Sequence, residues 1–159
     1  MKPLVKKLAA TFVLSAAGLY SLLADEGMRN TAYLDVANIP TICVGHTAGV
    51  KVGDVASDEV CRELLKQDVR TAEAAVRAGV AVPITQEQFD ALVSWTFNVG
   101  ADAATASTLL RKLNAQDCHG AAAEFSRWDK SRVRGVLRPV AGLTARRAKE
   151  RALFEKGCA

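Results

Sequence analysis

Residues 26–47 have the sequence EGMRNTAYLDVANIPTICVGHT, which differs in character from the helical patterns on either side of it. Turn-forming residues recur at residues 38–40 and 44–46, and short apolar runs lie between them. We therefore expect a small antiparallel sheet here, with one strand around Tyr33 and the next around Ile42.

The remainder of the chain has mostly helical periodicity. Side chains that can cap a helix N-terminus precede four of its apolar segments, at Ser57, Thr85, Ser107 and Asp117. The first of these helices would end near Gly79, and six apolar residues follow its cap at helical spacing: Val60, Leu64, Leu65, Val69, Ala72 and Val76. Thr85 and Gln88 have the pattern of a capping box. A basic loop through Gly135 and Pro139 would lead to a last helix over about residues 144–156. The sequence thus predicts a mainly helical α+β domain with one small antiparallel sheet near its start.

The charge of the chain indicates an anionic partner. At 159 residues it fits one domain, with a formal net charge of +4 and a pI near 9.0. The excess positive charge lies late in the sequence, at Arg127, Lys130, Arg132, Arg134, Arg138, Arg146, Arg147, Lys149 and Arg151. A membrane surface, the cell wall or simply a solvated helical face would account for it. Nucleic acid is disfavoured, because no nucleic-acid-binding motif accompanies the charge.

The four cysteines are Cys43, Cys61, Cys118 and Cys158. They form no CxxC pair, and in an exported protein an even number at dispersed positions indicates two disulfides, whereas in a cytosolic protein it indicates buried thiols. For an exported chain we favour the pairs Cys43–Cys61 and Cys118–Cys158. Two histidines, His46 and His119, do not supply a zinc ligand set, so we expect neither a metal nor another cofactor.

The N-terminus has the pattern of an export signal or a signal anchor, because lysines precede an apolar run over residues 8–24. A helix of this run would span about 25 Å, which is short of the roughly 30 Å hydrocarbon core of a bilayer. Small and weakly polar residues make up more than half of it. Residues 15–17 best match a signal-peptidase site, so the segment is a signal, a weak anchor, or both.

Two carboxyl groups near residues 26–47 can support glycoside hydrolysis, which needs a protonated acid and an ionised partner. Glu26 lies where Gly27 should end the first helix, and the helix dipole there would help to keep Glu26 protonated. Asp35, among polar neighbours, would stay ionised. Such a pair, nine positions apart, is more often two solvated surface charges, so it does not identify an enzyme by itself.

The wider pattern is more specific. Glu26-Gly27-x-Arg29-x-x-x-Tyr33-x-Asp35, followed by residues 40–47, closely resembles the catalytic motif of phage lysozymes. Residues 89–100, 107–110 and 142–150 are similar to the C-terminal lobe of the same family, of the T-even and lambdoid phage type. The resemblance implies a lysozyme-like domain of two lobes joined by the helix that begins near Ser57.

The resemblance also implies roles for individual residues. Glu26 matches the general acid, Asp35 the carboxylate that activates water, and Thr41 the hydroxyl that places this water. The family is regarded as inverting and cleaves the β-1,4 bond between N-acetylmuramic acid and N-acetylglucosamine, so the two carboxyls should stand about 6.5–9.5 Å apart. Four residues correspond to the substrate cleft: Gly45, His46, Phe97 and Asn98. A structural role for His46 and a core role for Phe97 are the alternatives.

The N-terminus is similar to that of the signal-anchor-release endolysins, in which the first segment is not cleaved. This implies a signal-anchor-release segment at residues 1–24 and a catalytic domain at residues 25–159. Cleavage near Ala24 would remove the helix that should position Glu26. We expect a monomer held first in the host inner membrane, with Lys2, Lys6 and Lys7 in the cytoplasm, and then released to the periplasm. No cysteine precedes Cys43, which excludes thiol exchange from this segment.

Three alternatives to an endolysin that hydrolyses peptidoglycan remain open on the sequence alone. A lytic transglycosylase would cleave the same bond without water and leave a 1,6-anhydro end. A catalytically dead wall-binding module would retain the basic surface but lack an acid, whereas both carboxyls are present here. A conventionally secreted lysozyme would have a processed N-terminus.

Overall fold

The structure, a computed structural model, describes residues 4–159. Within this range the α-helices are α1 (Ala16–Glu26), α2 (Asp58–Gly79), α3 (Gln86–Val99), α4 (Ala101–Thr105), α5 (Thr108–Asn114), α6 (Cys118–Glu124) and α7 (Ala141–Glu155). The strands are β1 (Arg29–Leu34), β2 (Pro40–Cys43), β3 (Lys130–Val133) and β4 (Val136–Pro139), and short 3₁₀ helices cover Ala9–Thr11 and Phe125–Trp128. The predicted α+β, mainly helical class is confirmed.

Strands β1 and β2 form the antiparallel sheet expected from residues 26–47. Tyr33 pairs with Thr41, and a bulge lies between this pair and the pair of Arg29 with Cys43. After β2, the backbone groups of Ile42 and His46 bond each other in a tight turn. This turn brings Gly45 back toward the end of α1.

Helix α2 joins the two lobes. Ser57 caps it by accepting a hydrogen bond from the Val60 N–H, and it ends at Gly79 as predicted. Its buried face includes Cys61, Leu65, Ala72 and Val76. Val60 has the same helical spacing, but its side chain is 48% exposed. Adjacent residues of a helix point about 100° apart, so with Cys61 facing the core Val60 faces solvent.

The hydrophobic core is divided between the lobes. The smaller cluster lies under the first sheet and consists of Ala32, Ile42, Cys43 and Cys61. The larger cluster is built on α3, where Phe89 and Trp95 are fully buried. Leu22, Val44 and Leu65 form a third cluster where α1, the β2 turn and α2 meet. Helix α1 therefore packs at the junction of the two lobes.

Helix α3 begins with the predicted capping box. The Thr85 hydroxyl accepts from the Gln88 N–H, and the Gln88 amide oxygen accepts from the Thr85 N–H. The helix buries Phe89, Leu92, Val93 and Thr96, and Phe97 is partly buried.

A second antiparallel sheet was missed by sequence reasoning. Strands β3 and β4 form a hairpin in place of the predicted basic loop. Its turn residues, Arg134 and Gly135, have φ angles of 51° and 79°, which is the conformation that two-residue hairpins require. The side chains of β4 are all exposed, so no buried apolar alternation marked it as a strand. The last helix begins at Ala141, before the predicted Thr144.

The N-terminal segment is part of the folded molecule. The backbones of Lys7 and Ile84 bond each other, and Ser15 caps α1 by accepting from the Gly18 N–H. Lys2 lies outside the described residues. Over residues 4–159 we find no helix that is both long enough and apolar enough to cross a membrane.

All four cysteines form disulfides, in the pairs that we favoured. Cys43–Cys61 ties β2 to α2, and Cys118–Cys158 ties the start of α6 to the C-terminal end of the chain. The expectation of two disulfides is therefore confirmed, together with the connectivity.

We expect the Cys118→Ser/Cys158→Ser variant to lose about 2–4 kcal/mol of unfolding free energy, because this bridge closes a long loop of the unfolded chain. The two cysteines are 40 positions apart. Urea unfolding under non-reducing conditions, followed by circular dichroism, measures the loss. A change within about 0.5 kcal/mol, the range of an ordinary surface substitution, would contradict the expectation.

Candidate active site

Glu26 is the last residue of α1, where the sequence predicted that the helix ends. Gly27 has φ 65° and its N–H donates to the Leu23 carbonyl, so the chain leaves the helix here and enters β1. Glu26 thus lies between the first helix and the first sheet. Its side chain is 16% exposed.

Two other parts of the chain contact the Glu26 carboxyl. Arg146, from α7, donates through Nη1 to Glu26 Oε1. On the other side lies Gly45, where an added Cβ would be 3.0 Å from Glu26 Oε2. Glycine is required there for two reasons, since its φ is +71° and no room exists for a side chain.

Sequence reasoning missed the ion pair of Glu26 with Arg146. We had grouped Arg146 with the surface cations, yet it is 7% exposed. Its guanidinium places a positive charge directly against the Glu26 carboxyl. A second ion pair, Lys149 with Asp25 at 2.8 Å, also joins α7 to the end of α1. The available signal was that Arg146 and Lys149 lie within the lysozyme-like block at residues 142–150.

Asp35 lies just beyond β1 and organises the turn to β2. Its Oδ1 accepts the backbone N–H groups of Ala37 at 2.8 Å and Ile39 at 2.9 Å. Its own N–H donates to the Ile39 carbonyl at 3.1 Å. For the part of the chain that the structure describes, Oδ2 has no hydrogen-bond donor from the protein. One carboxylate oxygen therefore fixes the turn and the other is available.

Thr41 is close to Asp35 in the same hairpin. Its side chain is buried, and its hydroxyl donates to the Ile39 carbonyl at 3.0 Å. Its strand partner is Tyr33, two residues before Asp35. The turn thus brings the hydroxyl and the carboxylate to the same end of the sheet.

The charges of both carboxyl groups act on the side chain of Tyr33. The Arg29 guanidinium lies 4.3 Å from the centre of its ring. Burial raises the pKa of Tyr33, the charge of Arg29 opposes this, and the negative charges of Glu26 and Asp35 raise the pKa further. Both carboxyls are therefore near enough to act on one phenol, which places them in a common environment.

Three of the four residues expected to line the cleft share one cavity. Gly45, His46 and Phe97 line a cavity of about 140 Å³, together with Asp68 and Thr96 among others. In this wall His46 Nδ1 lies 2.7 Å from Asp68 Oδ2, and His46 Nε2 lies 3.1 Å from the Ala48 carbonyl oxygen. Because both ring nitrogens have partners within the protein, the geometry favours the structural alternative for His46.

Asn98, the fourth expected cleft residue, is exposed and also contacts a buried ionic network. Its Oδ1 accepts from Arg147 Nη1 at 2.8 Å. Arg147 in turn pairs with Glu150, which also accepts from the Ser94 hydroxyl at 2.7 Å. Burial is the main influence on both charged groups: it raises the pKa of Glu150 and lowers the pKa of Arg147, and in each case the partner's charge opposes the shift.

The arrangement is suited to acid–base hydrolysis. It combines two carboxyls on different elements, a hydroxyl beside one of them, and a groove-lining turn made by Gly45. Within residues 4–159, no cluster of three or more histidine, cysteine or acidic side chains is arranged to hold a metal ion. With the two-lobed helical fold, this site defines a glycoside hydrolase of the lysozyme kind.

Comparison with known proteins supports the same class of enzyme. Residues 24–150 match the family described as phage lysozyme. An endolysin of Acyrthosiphon pisum secondary endosymbiont phage 1 is 42% identical, covering 89% of this chain and 97% of its own. A SAR-endolysin of Pseudomonas phage phiKMV is 36% identical, covering 85% and 84%. The endolysin structure from Escherichia coli O157:H7 phage FAHEc1 superimposes with a TM-score of 0.78 at 37% identity, covering 91% and 94%.

The chain belongs to the phage lysozyme family. Its activity is that of an endolysin: a muramidase that hydrolyses peptidoglycan and so lyses the host cell. The sequence-based predictions of the phage lysozyme family, of muramidase activity and of peptidoglycan as the substrate are therefore confirmed.

The importance of the close approach of Gly45 to Glu26 can be tested by alanine substitution at two glycines that have the same backbone φ angle. We expect Gly45→Ala to lower wall-lysing activity about 10²-fold, because its Cβ would displace the Glu26 carboxyl. Gly49→Ala is the control: Gly49 also has φ +71°, but an added Cβ there meets nothing within 4 Å.

Both variants should lose about 1–2 kcal/mol of stability from backbone strain. Only the first should lose activity per folded molecule, measured by the turbidity of purified walls. Equal activity of the two folded variants would mean that Glu26 is not held by this contact.

Proposed function

We propose that Glu26 is the general acid, that Asp35 activates the attacking water and that Thr41 positions it, in an inverting mechanism of the T-even and lambdoid phage type. The observation that carries this assignment is the location of Glu26, at the end of α1 against both the first sheet and α7. Glu26 would protonate the leaving glycosidic oxygen, and water would attack the opposite face of the sugar.

The hydrogen bonds of Asp35 and Thr41 support this division of roles. Asp35 Oδ1 is held by two backbone N–H groups, so its orientation is fixed while Oδ2 can accept a proton from water. The Thr41 hydroxyl donates its proton to the Ile39 carbonyl, which leaves lone pairs on Oγ1 that can accept a hydrogen bond from the same water.

Single carboxamide substitutions test these roles. Glu26→Gln should reduce hydrolysis of purified walls by about 10²–10⁴-fold, and Asp35→Asn by nearly as much, because each removes one proton-transfer group. Glu59→Gln, an exposed carboxyl in the first turn of α2, serves as the control and should keep parental activity. A folded Glu26→Gln protein that retained most of its activity would refute the assignment.

We further propose that residues 1–24 are a signal-anchor-release segment and residues 25–159 the catalytic domain of a monomer. The segment first lies in the host inner membrane with its N-terminus in the cytoplasm. The enzyme is then released to the periplasm, as its relatives named SAR-endolysins suggest. Helix α1 crosses the boundary between the two parts, so release and formation of the active site are coupled.

The surface of α1 supports a membrane state. Gly18 and Leu22 are its buried residues, whereas Leu19, Tyr20 and Leu23 are exposed. From Ala16 to Ala24 the helix carries no charge. An apolar helix with several large side chains in water loses little by moving into lipid, where its exposed face is solvated by hydrocarbon.

Polar contacts before α1 support its return to the protein. The N–H of Leu14 donates to Glu73 at 2.7 Å, and the N–H of Ser15 donates to Asp90 at 3.0 Å. The Phe12 carbonyl accepts two hydrogen bonds from Arg77. Backbone groups that a helix would satisfy internally in the bilayer thus find side-chain partners in the folded enzyme.

Substitutions at exposed positions of α1 can strengthen insertion into the membrane without changing the contacts of the folded enzyme. Leucine at Ala16, Ala17 and Ser21, all exposed, should strengthen insertion by roughly 0.3–0.6 kcal/mol each without disturbing the folded form. Gly18 must be avoided, because a Cβ there would lie 2.7 Å from Leu14 Cδ1 and 3.0 Å from Asp90 Cγ.

We expect the triple-leucine variant to stay in the membrane fraction and delay lysis, while its detergent-released, refolded form hydrolyses walls at the parental rate. Ala16→Ser/Ala17→Ser is the opposite control and should be released earlier. Release of the leucine variant as readily as the parent, or a mature N-terminus beyond Ala24, would contradict the mechanism.

A further inference from the structure

The β3–β4 hairpin and the residues just before it hold the excess charge of the chain. Residues 127–138 contain five basic side chains and one acidic side chain, a net charge of +4, which equals the formal net charge of all 159 residues. The rest of the chain is therefore balanced in charge. A positive field concentrated in one place attracts anions to that part of the surface.

Three of the five cations have no acidic partner. Arg127 and Lys130 each pair with a carboxylate of the chain. The other three are Arg132, Arg134 and Arg138, which are exposed and form no ion pair within residues 4–159. Their guanidinium groups are therefore free to bind an anion from outside the molecule.

The hairpin also exposes apolar side chains. Every residue of β4 is exposed, and Val136 and Leu137 are 53% and 59% exposed. Leu137 pairs with Arg132 across the ladder, so an apolar and a cationic side chain lie on the same face. Arg132 also donates to the Gly135 carbonyl at 3.3 Å, which leaves its charge uncompensated. This surface fits a ligand that carries carboxylates on short aliphatic stems.

The base of the hairpin lies beside the active site. The Asp129 carbonyl accepts the Val140 N–H at 2.9 Å, and Asp129 Oδ2 accepts from the Thr144 hydroxyl at 3.1 Å. Arg146, which contacts Glu26, follows Val140 by six positions, or about 9 Å of helix. A glycan strand bound at Glu26 therefore passes close to the hairpin.

The opposite end of α7 adjoins the apolar N-terminal segment. Lys156, which follows the helix, lines a cavity together with Leu4, Val5 and Phe12. The 15 residues of α7 span about 22 Å between this cavity and the hairpin. A membrane that contacted the N-terminal segment would lie at the end of α7 away from the hairpin. The location thus favours the cell wall over a lipid surface as the partner of the hairpin.

We propose that the β3–β4 hairpin binds the stem peptides of peptidoglycan, with Arg132, Arg134 and Arg138 pairing with their free carboxylates. These peptides branch from N-acetylmuramic acid, so every strand that enters the site carries their attachment points. The hairpin raises affinity for strands that bear peptides and does not touch the bond that is cleaved. The proposal rests on the wall-hydrolysing activity of the family and not on the roles of individual catalytic residues.

The test compares two soluble substrates: uncrosslinked glycan strands with their peptides, and the same strands stripped of peptides by an amidase. For Arg132→Gln/Arg134→Gln/Arg138→Gln in the full chain, KM on peptide-bearing strands should rise about five- to tenfold, with kcat unchanged. Each exposed ion pair contributes little, and three together give this factor. On stripped strands the KM of variant and parent should be equal. Added salt should remove the parent's advantage on peptide-bearing strands.

The matched control removes three exposed cations elsewhere on the surface. Arg62→Gln/Arg70→Gln/Arg111→Gln changes the net charge by the same amount on α2 and α5, and should keep the parental KM on both substrates. A rise in KM that is equal on the two substrates, or equal in the control, would be a general charge effect and would overturn the proposal.

A folded hairpin variant with the parental KM on peptide-bearing strands would also overturn it. Loss of binding to vesicles of anionic phospholipid in that variant would then assign the hairpin to the membrane. If the triple variant does not fold, Arg138→Gln alone should raise KM about twofold on peptide-bearing strands only, and an unchanged KM would overturn the proposal. Failure of the proposed acid is distinguishable, since it would appear as retained activity in Glu26→Gln.

Discussion

The ion pair between Arg146 and Glu26 is the contact on which the rest of the site depends, since it joins residues 120 positions apart. It brings the first helix of the catalytic fold against the last one and sets the charge environment of the proposed acid. The pair can form only when α1 is seated at the junction of the lobes, where Leu22 packs with Val44 and Leu65. Assembly of the fold and assembly of the site are therefore one event.

If the apolar N-terminus is the anchor that we propose, this dependence gives it a second role. A segment that was only an anchor could be removed after export, whereas here its helix ends on Glu26. The polar contacts before α1, at Glu73, Arg77 and Asp90, hold the segment in the folded enzyme. Buried ion pairs contribute little net stability, because desolvation offsets their attraction. The network around Arg146 is thus better understood as a device that sets geometry and charge than as one that stabilises the fold.

Local features were predictable from the sequence because their causes are local. The end of α1 at Gly27, the cap at Ser57 and the capping box at Thr85 follow from neighbouring residues. The family pattern added Glu26, Asp35 and Thr41 as the proposed catalytic residues. The missed features depend on the tertiary structure. Arg146 and Glu150 appear as surface charges until α7 packs on α3 and α1, and Asn98 faces Arg147 for the same reason. The β3–β4 hairpin lacks a buried face, so periodicity could not reveal it.

The central claim is that two carboxyls and a hydroxyl direct one water molecule to the sugar. Hydrolysis of purified glycan strands in ¹⁸O-labelled water, with the products followed by mass spectrometry and by NMR of the new anomeric centre, tests it most directly. The account predicts one ¹⁸O atom at each new reducing N-acetylmuramic acid, first formed with inverted configuration. Unlabelled 1,6-anhydro ends, or a labelled product of retained configuration, would contradict it.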